Sequence, residues 1–191
     1  MTADGTGITR LMEELRKVYT STALLLTTAD TYMNEAGWAL RTNQCVTVTY
    51  TPAEPAYWFP YYAFRVYRHK ACPHVLAFVS VIFDDREGGN SVPESLLSAG
   101  WLDYGRGTEV TEQTCKQDMA YDHVDWHRFI EGRTDDGRLL SVDWRKRPEF
   151  GKFKVQQSAT LAVPLVGVRN PDDLKKQVIT PLLDSLKQQI A

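Results

Sequence analysis

Apolar residues stand at Ile8, Leu11, Met12, Leu15, Val18, Tyr19, Leu25, Leu26, Ala29, Tyr32, Met33 and Ala36. Steps of three and four keep one side of a helix apolar for about eight turns. With Gly37 as the stop, the pattern predicts one N-terminal helix of roughly 30 residues, ~45 Å long at 1.5 Å per residue, behind a polar leader over 1–7. That length exceeds what one small sheet covers. Either the helix breaks near Thr20, Ser21 and Thr22, or one end projects and packs against something else, such as a second copy of the chain.

From Gln44 the period falls to two, with Val46, Val48 and Tyr50 alternating against Cys45, Thr47 and Thr49, which predicts a strand. Pro52, Pro55 and Pro60 then exclude regular structure from the connection. In the next strand Tyr62, Phe64 and Val66 share one face and Arg65, Tyr67 and His69 the other. Its hairpin partner, His74 to Phe83, has almost no polar residue on either side. A strand covered on both faces reads this way, which places it at the centre of the sheet.

Ser91 to Glu94 matches a capping box, and with Leu96, Leu97 and Gly100 it predicts a short helix. Residues 100–108 read as a glycine-rich loop, leading into a weak strand from Thr108 to Thr114. A second hairpin is expected from His123 through the turn at Asp135, Asp136 and Gly137 to Trp144. The last strand, Ala159 to Val168, contains Pro164, which predicts an edge strand or a bulge. Asn170, Pro171, Asp172 and Asp173 open a terminal helix with the stripe Leu174, Val178, Leu182, Leu186 and Ile190, kinked or broken at Pro181. The sum is a single α+β domain over 1–191: a mostly antiparallel sheet of about six or seven strands covered on one face by long N-terminal and C-terminal helices.

Composition adds exclusions. With 22 basic and 24 acidic residues the net charge of -2 supplies no global attraction for nucleic acid or an anionic membrane. Cys45, Cys72 and Cys115 are too few and too far apart for a disulfide framework or a zinc ribbon, which points to the cytoplasm. The start lacks the pattern of a signal peptide, and no window approaches a membrane span.

Candidate chemistry is local. His123, Asp125 and His127 would project from one face of a strand and suit a transition metal by residue type, at a spacing that matches no specific metal signature. His69, Cys72 and His74 crowd one hairpin turn, where nearby cations would depress the thiol and make it a nucleophile. Asp84 and Asp85 end the central strand as paired carboxylates able to hold a divalent ion. Arg65, Tyr67, Arg68, His69 and Lys70 interleave cations with aromatics, as single-strand nucleic-acid binders do. An ordinary polar sheet face or hairpin loop has the same composition in each case. No phosphate-binding loop, dinucleotide fingerprint or serine-hydrolase elbow is present, and no cofactor is assigned. The leading expectation is a non-catalytic cytoplasmic binding or interaction module that works through its long N-terminal helix and a partly exposed aromatic sheet surface, as a homodimer or as part of a larger assembly. The alternatives are a metal-dependent hydrolase, acting on a phosphoester, or a small-molecule sensor.

Overall fold

The computed structural model describes residues 5–41, 46–47, 62–83, 95–108, 110, 139–146 and 154–190. The elements in chain order are α1 (Gly5–Glu35), β1 (Trp38–Leu40), β2 (Val46–Thr47), β3 (Tyr62–His69), β4 (Val75–Ile82), β5 (Leu96–Asp103), β6 (Leu140–Asp143), β7 (Gln157–Pro164), α2 (Pro171–Leu174) and α3 (Thr180–Ile190). A π turn, Lys175–Ile179, joins α2 to α3. The strands form one antiparallel sheet in the order β1-β3-β4-β5-β7-β6, with β2 also paired to β3.

All eight residues of β4 are buried, as its uninterrupted apolar run requires of a strand covered on both faces. Odd-numbered positions Val75, Ala77, Val79 and Val81 look toward the helices. They join Leu97, Ala99 and Trp101 of β5 and Ala159, Leu161 and Val163 of β7 in one core layer. From above, α1 contributes Leu26, Ala29 and Met33, and the terminal helix contributes Leu174, Val178, Leu182 and Leu186. Burying each Leu, Val or Met of this layer contributes roughly 1.5–3 kcal/mol. The opposite face carries a second buried layer, including Phe64, Val66, Leu76, Phe78, Ile82, Leu96 and Leu102, against which Tyr104, Trp144 and Val155 pack.

Both helices end and begin as their residues dictate. Gly37, at φ +85, follows α1 in the left-handed conformation that only glycine adopts without strain, and its N–H donates to the Asn34 carbonyl. Asn170 accepts from the Asp173 N–H at 2.9 Å, and Pro171 takes the first helical position. Pro181 has no N–H to return to the Gln177 carbonyl, and the π turn falls over those residues, with the Thr180 N–H reaching back to Lys175. The helix therefore continues through the proline by widening one turn.

Several expectations are corrected. Residues from Gly5 onward belong to α1 rather than to a leader, since a terminal glycine costs only about 1 kcal/mol in a helix. Leu96 to Gly100 is not a short helix but part of β5, which continues through Asp103. A short run buried on both sides has no period to distinguish strand from helix. Gly100 does not end an element. It is paired between Phe78 and Thr160, and a Cβ there would meet the Ala159 carbonyl and come within 2.9 Å of the Phe78 ring, so glycine is required by close approach. Neither Thr108 nor Val110 is in a strand. The strand β7 is interior over Gln157 to Thr160, where β6 pairs with it, and among the described residues it has β5 alone as a neighbour beyond. Pro164 sits at its last position, and since the next N–H, that of Leu165, donates to the Ser95 carbonyl, the missing donor is on the side away from β5. The segments 91–94, 111–114 and 123–138, to which a helix start, a strand and half a hairpin were assigned, lie outside the described residues.

Candidate functional site

The residues singled out on β3 do not form an exposed polar face. Tyr67 is buried and its hydroxyl donates to Asp30 Oδ1 of α1 at 2.9 Å. Arg65 Nε lies 3.4 Å from Asp30 Oδ2, with both side chains largely buried. These side chains lie on the helix-covered face, because the register that sends Phe64 and Val66 to the second layer sends Arg65 and Tyr67 under α1. One carboxylate thus ties α1 to the sheet. Arg65 Nε and Nη1 are buried without a hydrogen-bond partner, so the ion pair carries the guanidinium's compensation.

At the β3–β4 turn, His69 packs its ring against Trp38, centroids 5.4 Å apart, while its Nδ1 accepts from the Ala71 N–H at 3.2 Å. Cys72 is buried. Burial, and then the charge of Asp103, push its thiol up from the ordinary value. The expected nucleophile is therefore a protonated core residue, because a desolvated sulfur beside a carboxylate resists becoming a thiolate. His74 Nε2 lies 3.9 Å from Asp103 Oδ1, and the same oxygen accepts the Gly105 N–H at 2.8 Å.

Asp103 belongs to a row that crosses the end of the sheet from Val75 through Asp103 and Gln157 to Asp143. Arg145 grips Asp143 with two hydrogen bonds, 2.8 and 2.9 Å. That grip holds the Asp143 carboxyl below its usual range and raises the guanidinium in return. Sequence reasoning missed this row, since residues 101–103 read as loop, and only strand pairing brings the four strands' ends together. Among the described residues, no three His, Cys, Asp or Glu side chains converge on a point that could hold a metal ion. Asp84, Asp85, His123, Asp125 and His127 lie outside the described residues.

Among the described residues, the front of α1 leaves a row of apolar side chains open. From Thr22 onward the helix buries Thr22, Leu26, Ala29 and Met33. Ahead of that point the same stripe is open: Ile8 is 53% exposed, Leu11 71%, Met12 47% and Val18 46%. Leu24, on the flank of the rear half, is 69% exposed. Where the two halves meet, a cleft of about 620 Å³ runs between α1 and the start of the terminal helix. Val18, Ser21, Thr22 and Leu25 form one wall, Leu165, Val168 and Leu174 the other, and Glu14, Lys17 and Arg169 supply its charges. Exposed apolar side chains in a row, continuous with a mostly apolar cleft, make a surface suited to binding another chain.

No family model, curated protein or solved structure matches this chain. Among the described residues, no helix is long and apolar enough to cross a membrane.

Proposed function

We propose that the protein is a non-catalytic interaction module of the cytoplasm that associates with itself through the front half of α1. The observation that carries this reading is the exposed stripe Ile8, Leu11, Met12 and Val18, placed on a helix whose rear half is already held by the sheet and the terminal helix. Leaving such a row in water is unfavourable by about 25 cal/mol per Å² of apolar surface, and a second protein surface removes it. The buried free thiol of Cys72, pushed up by burial and by the Asp103 charge, gives no support to thiol chemistry.

Light scattering on the full chain at micromolar concentration tests the reading. The expected mass is that of two chains, falling to one when residues 1–20 are deleted. A single-chain mass that the deletion leaves unchanged would overturn it.

A further inference from the structure

We propose that the cleft between α1 and the start of the terminal helix is a small-molecule site for an aliphatic monocarboxylate. The site is formed within one chain, so it stands whether or not self-association does. At about 620 Å³ the cleft falls in the range of roughly 300–1,000 Å³ typical of small-molecule pockets. Leu25, Leu165, Val168 and Leu174 make most of its wall apolar, which suits a hydrocarbon body. Its polar groups single out the head. Thr22 lines the cleft and is 8% exposed. Thr20, Thr27, Thr28 and Thr31 of the same helix return their hydroxyls to the carbonyl four residues back, at 2.8–3.2 Å. Among the described residues the Thr22 hydroxyl makes no hydrogen bond, and it is not sealed off from solvent. It is therefore left to a group inside the cleft, where a fixed acceptor is favourable.

Charge selects the sign of the head. Arg169, on the wall that carries Val168, makes no ion pair among the described residues. Asp173 does not neutralise it: one oxygen of that carboxylate accepts the backbone N–H of Arg169 at 3.1 Å and the Asn170 side chain at 3.0 Å. The other two charges of the cleft, Glu14 and Lys17, compensate each other at 2.8 Å. One uncompensated positive charge remains, so a monoanion fits and a cation does not. A carboxylate offers two oxygens to a guanidinium and accepts from a hydroxyl as well. Because Arg169 is exposed, its pairing discriminates between head groups more than it holds the ligand, and the hold comes from the apolar walls.

Calorimetric titration of the full chain with decanoate, with decanol and with decyltrimethylammonium tests the site. Decanoate is expected to saturate one site per chain and to bind about threefold or more tightly than decanol, with the cation weakest. Arg169→Gln is expected to abolish the preference for decanoate over decanol. Thr22→Val, close to isosteric, is expected to weaken decanoate about fivefold to tenfold at an unchanged melting temperature. Lys146→Gln, an exposed cation at the other end of the sheet, is expected to leave binding as it is. A wild-type chain without saturable decanoate binding overturns the site. So does equal binding of the three probes, which is apolar adsorption only, or a preference for decanoate that survives both cleft variants, which puts the binding elsewhere. The mass of the unliganded chain is read separately by light scattering, so failure of this site and failure of self-association are distinguishable.

Discussion

The two halves of α1 carry one apolar stripe and meet opposite fates. Behind Thr22, Leu26, Ala29 and Met33 have no exposed surface, and Asp30 reaches Arg65 and Tyr67 on β3. Ahead of it, every residue from Thr6 to Glu14 is exposed. The difference lies in what stands opposite, since the spacing is unchanged along the helix. It teaches that the rear half holds the helix to the sheet, while the stretch from Thr6 to Glu14 adds little to that hold.

The largest test of that contrast is a matched pair of truncations. Leu26→Ala is expected to cost roughly 3–4 kcal/mol in urea denaturation, the range for a fully buried leucine. Leu11→Ala, measured on monomer, is expected to stay within about 0.5 kcal/mol. Equal losses would mean that the front half is already packed in the single chain. Next comes the polar tie: Asp30→Asn removes the charge facing Arg65 and is expected to cost about 1–3 kcal/mol, while Tyr67→Phe is expected to cost about 1 kcal/mol. Glu14→Gln, on the front half, breaks only an exposed pair with Lys17 and is expected to change stability by less than about 0.5 kcal/mol.

A smaller effect marks the boundary between the halves. Tyr19 sets its ring edge-on to Phe83, centroids 6.1 Å apart, and burial raises its hydroxyl above the ordinary tyrosine value. The phenolate is therefore disfavoured in the fold relative to the unfolded chain. Stability is intact below the unfolded tyrosine pKa and is lost as pH rises through the folded one. Tyr19→Phe is expected to remove part of that alkaline loss, read as a flatter dependence of melting temperature on pH above the ordinary tyrosine range. An unchanged slope would place Tyr19 with the solvated front half.

Cys72 supplies a kinetic counterpart. Its thiol is expected to react with a water-soluble disulfide reagent only as the fold opens, so that urea accelerates labelling steeply. Fast labelling in the native state would contradict its burial and raised pKa.

Much of this architecture was legible in the residues. Periodicity gave α1 to within a few residues, β4 as a centre covered on both sides, and the Asn170 cap with its stripe, because each rests on interactions within a few positions along the chain. Where the period is lost, legibility is lost: Leu96 to Asp103 is buried on both faces and looks like a short helix start, and β1 is too brief to show alternation. The candidate sites fared worse. Arg65 and Tyr67 read as a solvated cationic and aromatic face because their partner, Asp30, lies on another element. Cys72 read as an activated thiol among histidines because the burial that chiefly opposes its ionisation, and the Asp103 carboxylate that adds to it, come from other elements.

By itself, then, the sequence determined the two helices, the antiparallel α+β class and the length of an apolar stripe, all of which follow from local spacing and backbone chemistry. Only the tertiary structure decided which part of that stripe is covered, which carboxylate meets which cation, and where a cleft opens. Those outcomes depend on surfaces brought together from distant positions, and a side chain's desolvation and charge environment are properties of its neighbours in space.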